Sequence, residues 1–132
     1  MIMKRNYGLS NTEMTLMDIF WEGGNRSFTF KELLEQPAVV ERGWKKQTLG
    51  TYLSNLQKSS LLGVDTSGKN YVYYPMVSKD EYVHQWTEKL VRTSFDNSIS
   101  KLVSAFTGGK KLSQEEAEEI RRLLSGEGGD GE

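Results

Sequence analysis

A helix pattern followed at once by a hairpin pattern, within residues 42–75, constrains this chain more than any other feature. Residues 42–63 read RGWKKQTLGTYLSNLQKSSLLG, with four basic residues and no acidic one. At about 100° per residue, Leu49, Tyr52, Leu53 and Leu56 gather on one side of a helix. Gln47, Thr51, Ser54 and Lys58 gather within about 40° of the opposite pole. The stretch therefore predicts an amphipathic helix with a polar outer face and cations at both ends (Lys45, Lys46 and Lys58). Gly50 lies on its flank, where it lowers helix stability and permits close approach of another surface. Directly afterwards, Leu62 and Val64 predict a short strand, residues 66–70 (TSGKN) a turn, and YVYY before Pro75 a second strand. Lys69 falls on the tip of this hairpin.

Upstream, Ser10 with Glu13 and Thr29 with Glu32 form capping boxes, each opening a helix. The first carries Met14, Leu16, Met17, Phe20 and Trp21 at helical spacing and stops at Gly23-Gly24. Residues 25–28 read as a link. The second carries Phe30, Leu33 and Leu34. Pro37 predicts its end near Gln36, with Val39 and Val40 packing in a loop or irregular turn. Three helices and a hairpin make a mainly α chain with a small β-hairpin. That order is the winged helix-turn-helix form, here over residues 7–76, with the basic helix as recognition element.

Beyond Pro75 the pattern is helical. Ser78 with Glu81 and Ser113 with Glu116 are two more capping boxes. An apolar stripe runs through Tyr82, Trp86, Leu90, Phe95, Ile99, Leu102, Val103 and Phe106, with a kink near residues 94–97 and a break at Gly108-Gly109. Ala117, Ile120, Leu123 and Leu124 continue it in a last helix. There is no sheet for these helices to cover, so the simplest burial is against a second copy. Residues 77–125 are expected to be a helical dimerisation region that uses Tyr82, Trp86, Leu90, Phe95, Ile99, Leu102, Val103, Phe106, Ile120 and Leu123. Residues 126–132 read as a disordered acidic tail.

Composition removes whole classes of function. The chain has no cysteine and one histidine, so disulfides, thiolate metal sites and cysteine nucleophiles are excluded. Ser and Asp have no plausible base beside them, and a non-enzyme without cofactor is expected. His84 shares a helical face with Asp80 and Glu88, a spacing that suits a metal, though a surface histidine is the preferred reading. No apolar run approaches the ~18 residues of a membrane span, and no signal-peptide pattern opens the chain, so a cytoplasmic protein is expected. The net charge of −1 conceals an asymmetry: residues 1–75 hold nine Lys/Arg against seven Asp/Glu, residues 76–132 eight against eleven. The first part is the half suited to nucleic acid.

On B-DNA, Gln47 suits adenine N6/N7, and Thr51 offers a methyl to thymine and a hydroxyl to a base or phosphate. Thr48 lies nearer the phosphates, and Ser54 shares the outer face. Lys45, Lys46, Lys58, Lys69 and Arg42 are expected to neutralise phosphates. A dimer then reads an inverted repeat in double-stranded DNA.

LSNTEMTLMDIFW, the pattern Trp44-x3-Thr48-x2-Thr51-x-Leu53-x2-Leu56, and YVYYP ahead of SKDEY together resemble the penicillinase-repressor family. The similarity runs from about residue 9 to 124. It implies a dimeric bacterial repressor on a dyad-symmetric operator, controlling β-lactam-resistance or related genes. In one branch of that family, a membrane sensor-protease cuts the repressor at an Asn-Phe bond. The corresponding bond here is Ala105–Phe106, with Ala in place of the Asn. The copper-responsive branch uses a C-terminal cysteine cluster, which this chain lacks. Family members often carry Arg where Asn55 stands and Lys-Gly where Ser59-Ser60 stand. Two other readings stay open: a winged helix that binds a protein partner, and a repressor switched by a small ligand or metal.

Overall fold

The computed structural model describes residues 6–126, which fall into two compact units dividing between Thr87 and Glu88. The first is a winged helix. Its order is α1 (Asn11–Glu22), β1 (Phe28–Thr29), α2 (Phe30–Leu34), α3 (Pro37–Arg42), α4 (Lys46–Lys58), β2 (Leu62–Asp65) and β3 (Val72–Pro75). Helix α5 (Lys79–Ser94) begins in this unit and runs into the second, which also holds α6 (Ile99–Thr107) and α7 (Gln114–Ser125). The expected acidic tail lies outside the described residues except for Gly126, which closes α7 with a left-handed backbone.

Local sequence signals set most of these boundaries. The Ser10 hydroxyl accepts the Glu13 N–H at 3.1 Å while the Glu13 carboxylate accepts the Ser10 N–H at 2.9 Å. Thr29 with Glu32 and Ser78 with Glu81 repeat the same reciprocal pair. Each box satisfies two donors that a helix start leaves open. Helix α4 ends in a Schellman turn: Ser60 N–H donates to Gln57 O and Leu61 N–H to Leu56 O. The motif needs a left-handed residue after the cap, and Ser60 supplies it at φ +65°. Between α5 and α6, Asp96 and Asn97 are both left-handed, so the expected kink is a complete break.

Two sequence expectations are corrected. Pro37 does not leave Val39 and Val40 in an irregular turn. It is the first residue of α3, where its missing N–H has no helical partner to lose. Val39 is then buried at 1 % exposure, while Val40 points outward at 62 %. The link over residues 25–28 is not wholly a link either. Phe28 and Thr29 form an edge strand opposite Tyr73 and Val72. The hairpin is therefore part of a three-stranded antiparallel sheet of order β1-β3-β2.

One core serves the first unit. Leu16, Met17, Phe20, Leu33, Leu49, Leu53 and Leu56 are fully enclosed. Each leucine or phenylalanine of this set contributes about 1.5–3 kcal/mol by burial. Phe28 meets Phe20 edge-on, with centroids 5.3 Å apart. Helix α5 is tied to this core from its first turns. Trp21 Nε1–H donates to Val77 O at 3.0 Å, the Trp21 and Tyr82 rings lie 5.8 Å apart, and Tyr82 Oη–H donates to Tyr7 O at 2.8 Å. Trp86 meets Tyr7 edge-on at 5.7 Å and occupies the space a Cβ at Gly8 would need.

Candidate nucleic-acid interface

Helices α3 and α4 are joined by Gly43, Trp44 and Lys45. Gly43 takes φ +68°, and the Gly43 and Trp44 N–H groups close α3 onto Val40 O and Val39 O. A left-handed step here turns the chain sharply into the next helix, and glycine takes it without strain. The Trp44 ring then stands edge-on to Tyr52 at 4.9 Å, which fixes the entry to α4. The Arg42 guanidinium lies 5.9 Å over Trp44 and donates to Ala38 O. Arg42 is thus held beside the turn, with its charge in solvent.

Helix α4 buries Leu49, Leu53 and Leu56 and turns the other side outward. Lys45, Lys46, Gln47, Thr51 and Lys58 are exposed; Thr48 and Ser54 are half-buried at the margins. The structure therefore gathers six of the nine expected DNA-binding residues on α4, with Lys45 as its N-cap. Lys69 lies apart, exposed in the β2–β3 connection, and Arg42 lies on the last turn of α3. Among the described residues, none of Lys45, Lys46, Lys58 and Lys69 forms an ion pair. Thr51 Oγ1–H donates to Gln47 O at 3.1 Å. Its proton is engaged within the helix, so the exposed side chain offers hydroxyl lone pairs and a methyl. That suits an amino donor on a base, or a thymine methyl.

The start of α4, like that of α3 before it, has no side-chain cap, unlike those of the other helices. Helices α1, α2, α5, α6 and α7 each open on a Ser or Thr hydroxyl that accepts a backbone N–H. Lys45 caps α4 and provides no side-chain acceptor. The first N–H groups of α4 stay available, next to Lys45 and Lys46, and such an end favours anions. This feature was missed in the sequence, although its signal was present: no Ser, Thr, Asp or Asn stands at position 45.

The wing is braced at its tip. Asp65 Oδ1 accepts both the Ser67 N–H at 2.9 Å and the Ser67 hydroxyl at 2.6 Å. These bonds lower the Asp65 pKa below 3.8, the side-chain bond contributing most. A profile of the penicillinase repressor family matches residues 9–126, spanning both units. The chain belongs to the penicillinase repressor family. Penicillinase repressors are transcriptional regulators that bind DNA, and the winged helix described above is the element suited to that task. Two relatives are the methicillin resistance regulatory proteins MecI of Mammaliicoccus sciuri and of Staphylococcus aureus strain N315. Each is 22 % identical over 121 residues, covering 92 % of this chain and 96 % of the relative.

The residues expected to dimerise this penicillinase repressor divide into two groups. Tyr82 and Trp86 pack within the first unit, on Trp21 and Tyr7, so their rings are already engaged in the protomer. In the second unit, Leu90, Phe95, Leu102, Val103 and Ile120 are half-buried, while Ile99, Phe106 and Leu123 are 59 %, 73 % and 61 % exposed. Neither α6 nor α7 holds a buried residue. Ala105 and Phe106, the bond corresponding to the family's cleavage position, are exposed in the last turn of α6. Among the described residues no three His, Asp or Glu side chains converge on a metal position. No helix among them is long and apolar enough to cross a membrane.

Proposed function

We propose that this protein is a homodimeric repressor whose two α4 helices occupy successive major grooves of an inverted-repeat operator and exclude polymerase from the promoter. The observation that carries this reading is the outer face of α4. Gln47 and Thr51 stand one turn apart on it, both exposed, with Lys45, Lys46 and Lys58 at its ends. Base-reading groups at the centre and cations at the rim form the division of labour that sequence-specific binding needs. The open amino terminus of α4 adds donors for a phosphate.

Pairing of two copies through α6 and α7 is supported by their apolar surface, where Ile99, Phe106, Leu123 and Leu124 are exposed and no residue is fully buried. Two identical winged helices held by such a pairing are suited to half-sites about 34–36 Å apart, one helical turn of DNA. A sensor-protease acting at Ala105–Phe106 would have to unwind the last turn of α6 to reach the bond, and Ala stands where the family has Asn. Release by another route, through a ligand or a different bond, fits this chain better.

Fluorescence anisotropy tests the proposal. The protein is titrated into a labelled duplex from upstream of its own gene, and into a scrambled duplex, at two salt concentrations. The expected result is a preference for the upstream duplex that weakens as salt rises. Thr51→Ala and Gln47→Ala should each lose about 1–3 kcal/mol on the preferred duplex and much less on the scrambled one. Equal weakening on both duplexes would remove the base-reading role. Salt-insensitive behaviour, with no duplex retained even after selection from random DNA, would favour a protein partner for the winged helix.

A further inference from the structure

Gly50 occupies the middle of α4, one turn from Lys46 and one turn from Ser54. A glycine there weakens a helix relative to alanine. Several glycines of the first unit have a local reason, and Gly68, which has open space around it, sits in the turn between β2 and β3 rather than in a helix. Gly43 and Gly8 take left-handed backbones, and Gly63 and Gly8 lie under aromatic rings. Gly50 has neither reason. Its backbone is helical, and a Cβ built on it meets no atom within 4 Å. Among the described residues, nothing requires position 50 to lack a side chain.

The surroundings of Gly50 say what the space is for. By helical geometry it lies between the buried face, marked by Leu53, and the outer face, marked by Ser54 and Thr51. Lys46 precedes it by four residues and is exposed, with no ion pair among the described residues. Lys46 is itself the first residue of α4, and this amino terminus has no side-chain cap. A bare backbone flanked by a cation, a hydroxyl and open N–H groups matches a sugar-phosphate strand at the edge of a groove.

We infer that Gly50 is a DNA contact set by its lack of a side chain: one strand approaches the α4 backbone at Gly50 more closely than a Cβ permits. This sets how deeply α4 enters the groove, and so whether Gln47 and Thr51 reach the base edges. The inference rests on the proposed reading of α4 as the DNA-contacting helix. It adds a steric element to the reading by charge and hydrogen bonding.

The experiment measures stability and DNA affinity of Gly50→Ala and Gly50→Leu in the full chain. The probes are the duplex that the wild-type protein selects from a random pool and a scrambled duplex of equal composition. The melting temperature of Gly50→Ala should rise by about 3–6 °C, because alanine favours the helix and meets no obstacle. Affinity for the selected duplex should fall about tenfold or more, and further for leucine, which also favours helix but is larger. A rise in melting temperature with unchanged affinity would overturn the inference while leaving the repressor reading intact. A drop in melting temperature would also overturn it, by showing that the protomer itself needs the glycine. A wild-type protein that selects no sequence would remove the underlying reading, and the inference with it.

Discussion

The ring of Tyr74 lies across Gly63, its cross-strand partner in the wing, in the space a Cβ on Gly63 would take. The pair lets an aromatic residue cover a glycine that would otherwise leave the strand thin.

Gly63→Ala should therefore lower stability by about 1 kcal/mol, at the small end of overpacking because the half-exposed Tyr74 ring can swing outward. Most of that loss should vanish in a Tyr74→Ala background, where nothing overlies position 63. Urea denaturation of the four proteins gives the coupling. Additive effects of the two substitutions would contradict the contact.

Ser60 holds the left-handed position of the Schellman turn that closes α4. An L residue at this backbone is strained by about 1–2 kcal/mol, and glycine returns part of that gain as unfolded-chain entropy. Ser60→Gly should stabilise the protein by about 0.5–1 kcal/mol, seen as a higher melting temperature. An unchanged or lower value would mean that the serine side chain compensates for its backbone.

Tyr82 has its pKa raised above 10.0, first by burial and then by the nearby Glu13 carboxylate; Tyr73 is raised by burial and by Tyr71. A raised folded-state value means that the unfolded chain loses its proton first as pH climbs. The stability these phenols contribute is complete below about pH 10 and is lost as pH rises through their folded values. Absorbance titration should show late-ionising tyrosines, and the melting temperature should fall across the same range. Tyr82→Phe should lower stability at neutral pH by about 1 kcal/mol, through loss of the bond to Tyr7 O, and should flatten the alkaline decline. An equally steep decline in the variant would clear Tyr82 of that role.

Phe106 and Leu123 are exposed in the protomer, so replacing them leaves the core of the first unit untouched. Phe106→Lys with Leu123→Glu should convert a dimer to monomers in sedimentation equilibrium, with little change in tyrosine and tryptophan fluorescence of the winged helix. Affinity for an inverted repeat should fall about a hundredfold, because the two half-sites no longer bind as one. Persistence of the dimer would place the interface elsewhere.

The sequence discloses those parts of the fold that depend on near neighbours. Four Ser/Thr–Glu pairs each mark a helix start, because both partners lie within four residues; three form the reciprocal box, while the Glu116 carboxylate accepts the Ser113 hydroxyl instead of its N–H. The outer face of α4 was equally legible, since helical periodicity alone orders Gln47, Thr51 and Lys58. Strand β1 was hidden because Phe28 acquires its conformation from Tyr73, 45 residues away. Pro37 was misread because a proline ends one helix and begins the next with the same backbone angle. Tyr82 and Trp86 continue the stripe of Leu90 and Phe95 without a gap, and a stripe does not say what covers it. Here the first two rings rest on Trp21 and Tyr7 within the protomer.

The uncapped start of α4 bears on how long the repressor survives. Backbone donors that lack a side-chain acceptor leave the first turn of a helix prone to fraying. Phosphates that take up those donors would steady the same turn, and a ligand that binds only the folded form raises its stability. On the proposed reading, a copy seated on DNA would be the copy least open to proteases, and unseated copies would be cleared sooner. Turnover would keep the free pool small and leave the DNA-bound pool standing, so that the level of repressor follows the number of sites it occupies.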